Sequence, residues 1–133
     1  MKEETVLSSE KRVTRAGDAV WRPATASTPH IHAFLRHLGK QGLPVPRVVA
    51  DDVDGRSALS YMEGEQVHPG RWSDAGLIAV ARLTRSLHDA ALGYAPDPDA
   101  TWPAWYLREI GGESRILCHG DIAPLRGTAC PSA

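Results

Sequence analysis

Three short segments carry side chains whose types could do chemistry. Asp121, in His119-Gly120-Asp121, follows the apolar triplet Ile116 to Cys118. Its carboxylate would lie on a loop at a strand end, where a carboxylate can act as a general base. Arg22, on a short β-patterned stretch, could hold an anion through two parallel hydrogen bonds, and His88-Asp89 has the residue types of a metal pair. Each also has a purely structural interpretation. The segment with Asp121 could be an ordinary loop, Arg22 could be a solvated residue at a strand edge, and His88-Asp89 could make a structural contact near a helix end.

The elements that must position Arg22 are strands in the first 25 residues. Residues 12–15 and 19–22 have strand character and are joined by a turn at Ala16-Gly17-Asp18, which predicts a hairpin. A second hairpin is predicted from residues 47–50 and 57–62, because Asp54-Gly55 is a strong hairpin-turn signal. Between the hairpins, Thr28-Pro29 offers a cap and first turn for a helix of about three turns. The apolar face of that helix is Ile31, Phe34, Leu35 and Leu38.

A longer helix is predicted in the second half of the chain. It is capped by Ser73-Asp74 and ends near Leu92-Gly93, after a loop over residues 63–70. Its apolar residues are spaced by three and four, as an amphipathic helix requires; they are Leu77, Val80, Leu83, Thr84, Leu87 and Ala91. A short helix from Trp102 to Ile110 and a buried strand at residues 116–118 complete the prediction.

Composition narrows the classes of function. The 15 Lys and Arg against 16 Asp and Glu give a net charge of −1, which argues against a general nucleic-acid binder. The sequence contains no run of about 18 apolar residues, the length that a membrane-spanning helix needs. The acidic amino end is unlike a signal peptide, so we expect a cytoplasmic protein. The two cysteines, Cys118 and Cys130, are not spaced as a zinc site or a disulfide framework.

Taken together, these segments resemble the aminoglycoside phosphotransferase family, which has a protein-kinase-like fold. The resemblance runs from about Val13 to Pro124. Its most specific part is Cys-His-Gly-Asp-Ile-Ala-Pro at 118–124, which is similar to the family's catalytic loop. The segment Gly17 to Pro23 is similar to a subset of the family in which Arg replaces the usual phosphate-binding Lys, and Tyr61 to Glu63 is similar to the hinge between the two lobes.

The resemblance implies a role for each matching residue. Asp121 would be the catalytic base, and His119 would anchor its loop by hydrogen bonding to the backbone. The implied nucleotide-binding residues are Arg22 for phosphate oxygens, the backbone of Met62 and Glu63 for an adenine or guanine edge, and Ser8 and Ser9 in the phosphate-covering loop expected near residues 7–11. The implied cofactor is ATP or GTP with Mg²⁺.

The sequence departs from the family pattern after Asp121. The family has an Asn five residues later and a further Asp as metal ligands, whereas this chain has Arg126 and no acidic residue from Leu125 to Ala133. We therefore predict no metal ligands in this chain, and we expect a truncated enzyme, as a frameshift or early stop would produce. Loss of the metal would remove several kcal/mol of transition-state stabilisation.

The predicted fold is α+β and protein-kinase-like, with an abbreviated β-rich N-lobe and only the first helical part of the C-lobe. The expected parts are a nucleotide-binding N-lobe at 1–62, a partial C-lobe at 63–124 and an unrelated tail at 125–133. An unpartnered apolar face on the helix from Leu77 to Leu92 would favour self-association.

The predicted function is transfer of a nucleotide γ-phosphate to a hydroxyl of a small molecule, impaired or absent in this chain. The expected partners are the nucleotide and that acceptor, with no nucleic acid and no membrane. One alternative is a non-catalytic nucleotide-binding protein or a nonfunctional fragment. Another is a metal-dependent phosphohydrolase using His37, His88-Asp89 and Asp121.

Overall fold

The computed structural model describes residues 3–64 and 71–102, which form an α+β arrangement of five strands and two helices. The strands make one antiparallel sheet in the order β1-β2-β3-β5-β4. Of the described residues, those up to Met62 and from Ala95 onward form one compact unit, and those from Glu63 to Tyr94 form a second. The elements in chain order are β1 (Glu4–Ser8), β2 (Val13–Ala16), β3 (Ala19–Pro23), α1 (Thr28–Lys40), β4 (Val48–Val53), β5 (Arg56–Ser60) and α2 (Asp74–Leu92).

Both predicted hairpins are present, with shifted ends. Gly17 and Gly55 have φ of +61° and +75°, a conformation that a glycine adopts without steric cost, so each turn forms where the sequence predicts it. Arg12, predicted to begin a strand, lies in a turn with φ of +50°. The strand predicted to reach Met62 ends at Ser60, because the chain leaves the β3 partner there.

Helix α1 begins where predicted, but the prediction of Thr28 as its cap is wrong. Ser27 is the N-cap and Thr28 is the first helical residue. The Thr28 hydroxyl instead accepts a hydrogen bond from the Thr25 backbone N–H at 2.9 Å, so it stabilises the turn before the helix. Leu38 is buried as predicted, and His32, a polar residue outside the predicted apolar face, is only 2% exposed.

Helix α2 in the second unit has the predicted ends and the predicted cap. The Ser73 side chain accepts a hydrogen bond from the Gly76 N–H at 3.1 Å, which satisfies one of the unpaired amides of the first turn. On the predicted apolar face Ala91 is buried, whereas Leu77 and Leu83 remain 48% and 42% exposed. Within the described residues, neither helix combines the length and apolar character needed to cross a membrane.

Strand β5 lies at the centre of the first unit's core. Ser57, Ala58 and Leu59 are all buried, because β5 pairs with β3 on one side and β4 on the other. Small side chains at Ser57 and Ala58 suit a strand that is covered on both faces. The short helix predicted up to Ile110 and the strand predicted at 116–118 lie outside the described residues.

Candidate functional site

The sheet register places several polar residues on one face. Directly opposed residues of neighbouring antiparallel strands share a face. Arg15 opposes Val20, and Val20 opposes Leu59. Arg22 lies two residues beyond Val20 and therefore projects to the same side, where it opposes Ser57. We call this the Arg22 face.

Arg22 is exposed at the end of this face nearer Pro23. Within residues 3–64 and 71–102 its guanidinium makes no hydrogen bond or ion pair. Its cross-strand neighbour Ser57 is only 1% exposed, and in the same part of the chain its hydroxyl has no hydrogen-bond partner. An exposed arginine on β3 is suited to bind an anion such as a phosphate group.

Helix α1 supplies no carboxylate to Arg22. In protein kinases, a lysine on the third strand pairs with a glutamate of the following helix, whereas α1 contains no Asp or Glu. Asp51 of β4 binds two other side chains of this helix, His32 and Arg36. Asp51 accepts a hydrogen bond from His32 Nδ1 at 2.9 Å through Oδ1, and one from Arg36 at 2.6 Å through Oδ2. Because the carboxylate is the acceptor, His32 carries a proton on Nδ1.

The Asp51 cluster fastens α1 to the sheet. Hydrogen bonds from Arg36 and then from His32 hold the pKa of the Asp51 carboxyl below its ordinary value of 3.8, and they outweigh the opposing effect of burial. The carboxylate is therefore ionised at neutral pH and is available to both partners.

The chain that leaves β5 is held by two backbone hydrogen bonds and is then exposed at Met62. The Ser60 N–H donates to the Arg47 carbonyl at 2.8 Å, and the Tyr61 N–H donates to the Asp18 carbonyl at 2.7 Å. Among the described residues, neither the N–H nor the C=O of Met62, the next residue, is hydrogen-bonded. Met62 is 49% exposed, and Glu63 beside it is exposed. These backbone groups are accessible to a ligand edge.

The region expected to cover phosphates is a tight turn between β1 and β2. Ser8 belongs to β1, and its hydroxyl accepts the Lys11 N–H at 3.2 Å. Ser9 is exposed, and its carbonyl accepts the Arg12 N–H at 3.2 Å. The Ser8 hydroxyl is thus hydrogen-bonded within the turn. Among the described residues, the Ser9 hydroxyl makes no such bond.

The predicted catalytic residues His119 and Asp121 lie outside the described residues, so the structure does not place them relative to Arg22. No group of three or more His, Cys, Asp or Glu side chains within residues 3–64 and 71–102 could hold a metal ion. The described part of the chain therefore presents exposed residues at Arg22 and Met62 but no group of side chains that could hold Mg²⁺.

Two features of this region are absent from the sequence-based prediction. Arg15 lies with its guanidinium carbon 3.5 Å from the centre of the Tyr61 ring, and Asp51 gathers His32 and Arg36. Both arise from contacts between elements that are distant in sequence. Burial of His32 on α1 accompanies the second contact, and the helical spacing of apolar residues does not predict that burial.

The fold and the positions of these residues together indicate a class of protein. An antiparallel five-stranded sheet with a helix after its third strand, an arginine on that strand and an accessible backbone after the fifth is compatible with the N-lobe of a kinase-like phosphotransferase. The chain belongs to the phosphotransferase enzyme family, whose sequence pattern matches residues 11–115. The resemblance predicted from the residues is confirmed.

A curated relative gives a more specific likeness. The chain is 35% identical over 129 residues to the trifolitoxin immunity protein of Rhizobium leguminosarum bv. trifolii. The match covers 93% of this chain and 49% of the relative, so the chain spans about half the length of that protein. No solved structure matches the chain.

Proposed function

We propose that the first unit binds a nucleoside triphosphate, ATP or GTP, on the Arg22 face. The observation that carries this proposal is that one sheet presents an exposed arginine on β3 and, two residues after β5 ends, a Met62 backbone that makes no hydrogen bond within the described residues. Arg22 would bind phosphate oxygens through its two-pronged guanidinium. The N–H and C=O of Met62 would pair with the edge of the base.

We further propose that the family's reaction, transfer of the γ-phosphate to a hydroxyl of a small molecule, uses Asp121 as the base. A carboxylate positioned beside the hydroxyl can accept its proton as the new P–O bond forms and the bond to the leaving diphosphate breaks. His119 would hold the loop that carries Asp121.

Calorimetric titration with non-hydrolysable Mg-ATP and Mg-GTP analogues tests the binding proposal. Arg22→Ala should weaken binding about tenfold or more, the loss expected for a charge-assisted hydrogen bond. Arg82→Ala is the matched control, because Arg82 is also exposed but lies on α2 in the other unit. Failure of wild-type protein to bind either analogue, or equal losses for the two variants, would exclude the Arg22 face as the nucleotide site.

The transfer step needs a separate assay, in which release of the nucleoside diphosphate is followed in the presence of candidate alcohols. Asp121→Asn should abolish any turnover and leave binding of the nucleotide analogue intact, since the amide is nearly isosteric but cannot accept a proton. Turnover that survives this substitution would remove Asp121 from the mechanism.

The relative favours a second function, protection of a cell against a toxin. Its name concerns immunity to trifolitoxin, and we propose that this chain contributes to a similar protection. Expression of the chain in trifolitoxin-sensitive bacteria should raise the toxin concentration that stops growth. If Arg22→Ala protects as well as wild type, immunity does not depend on the proposed nucleotide site.

A further inference from the structure

Arg15 and Tyr61 form a stacked pair at the end of the Arg22 face nearer the turn between β2 and β3. The guanidinium carbon lies 3.5 Å from the ring centre, and Arg15 Nε donates to the Gly17 carbonyl at 2.8 Å. The guanidinium is therefore fixed both in position and in orientation. Both side chains are half-buried, where a cation stacked on an aromatic ring is stabilised more than at a fully exposed site.

This pair completes a set of contacts around the chain that leaves β5. On one side, the Tyr61 N–H donates to Asp18 in the turn between β2 and β3. On the other side, the Ser60 hydroxyl accepts the Arg47 N–H at 2.8 Å. Stacking by Arg15 adds a contact to the Tyr61 ring. The two residues that precede Met62 are thus held by a backbone bond at Tyr61, a bond to the Ser60 hydroxyl and the stacked guanidinium.

The two arginines of this face occupy different places along it. Arg15 opposes Val20, and Arg22 lies two residues further along β3 on the same side. Residues diagonally opposed on neighbouring strands are about 7–8 Å apart. The two arginines can therefore contact different parts of one extended ligand. Arg22 lies toward Pro23, whereas Arg15 lies toward Tyr61 and Met62.

We propose that Arg15 is a positioning residue for the base of the bound nucleotide, acting through Tyr61 on the Met62 backbone. The inference rests on the proposed function, namely nucleotide binding on the Arg22 face. In this proposal the two arginines have different roles. Arg22 binds the phosphates of any ligand, and Arg15 makes binding depend on the presence of a base.

The test compares two ligands, the tighter of the two non-hydrolysable Mg-nucleotide analogues and Mg-tripolyphosphate, which has the phosphates but no base. Dissociation constants are measured by calorimetry for wild type, Arg15→Ala, Tyr61→Ala and Arg22→Ala, with Arg82→Ala as control. Arg15→Ala should weaken nucleotide binding about fivefold to tenfold, the scale of a lost cation–π contact, and leave tripolyphosphate binding unchanged. Arg22→Ala should weaken both.

Tyr61→Ala provides an independent check, because it removes the other half of the stack and should reproduce the nucleotide-specific loss. A merely structural role for Arg15 would lower the affinity for both ligands in parallel, and that result would overturn the proposal. Wild-type protein that binds tripolyphosphate but no nucleotide would also overturn it while leaving the phosphate role of Arg22 standing. Wild-type protein that binds neither ligand would instead defeat the proposed function itself.

Discussion

The Asp51 cluster leads to a quantitative prediction for Asp51→Ala. His32 is 2% exposed, so removal of the carboxylate leaves a buried imidazole N–H without its acceptor. Loss of a hydrogen bond to a charged group costs about 1.5–3 kcal/mol. The contact with Arg36 is short but solvent-exposed, and such a contact adds only about 0.2–1 kcal/mol. We therefore expect Asp51→Ala to lower the free energy of unfolding by about 2–4 kcal/mol.

Urea denaturation at pH 7, followed by circular dichroism, measures this change. Arg36→Ala should cost at most about 1 kcal/mol, because its partner remains bonded to His32. Asp89→Ala is a further control, since Asp89 pairs with Arg85 on the exposed surface of α2. If Asp51→Ala costs no more than Arg36→Ala, the burial of His32 does not carry the stabilisation and our reasoning is refuted.

The same carboxylate predicts a dependence of stability on pH. The pKa of Asp51 in the folded protein lies below its ordinary value of 3.8, so the unfolded chain binds a proton more readily in this range. The contribution of Asp51 is complete above the unfolded-state pKa of about 3.9 and is lost as the pH falls through the lower folded-state pKa. The urea midpoint of wild type should fall more steeply below pH 4 than that of Asp51→Ala. Parallel profiles would contradict the assignment.

Three further substitutions and one control variant test local features by thermal unfolding. Ser57→Ala should raise the free energy of unfolding by about 1 kcal/mol, because it removes a buried hydroxyl that has no hydrogen-bond partner among the described residues; a loss of stability would contradict this expectation. Ser73→Ala should cost about 1 kcal/mol through loss of the α2 cap, whereas Ser86→Ala, within the same helix, should cost nothing. Gly55→Ala should cost about 1 kcal/mol or more, since φ there is +75°, and an unchanged melting temperature would contradict that strain.

The two hairpins and both helices could be predicted because their signals are local. Asp54-Gly55 favours its turn, and Ser73 can cap a helix, whatever surrounds them. Helix α1 shows the limit of such signals. The sequence predicted Thr28 as the cap, but in the folded turn the Thr28 hydroxyl binds the Thr25 N–H and Ser27 is the N-cap, without a side-chain bond to the helix.

The candidate site shows the same division. The sequence alone determined that Arg22 lies on a strand of a hairpin, because this is a property of neighbouring residues. It placed Tyr61 and Met62 inside the last strand of the second hairpin, which in the structure ends at Ser60. Only the tertiary structure decided which side chains meet. Arg15 reaches Tyr61, and Asp51 reaches His32, through strand pairing and helix packing that join residues 46 and 19 positions apart. Such contacts depend on the register of the whole sheet, and no short stretch of sequence contains that information.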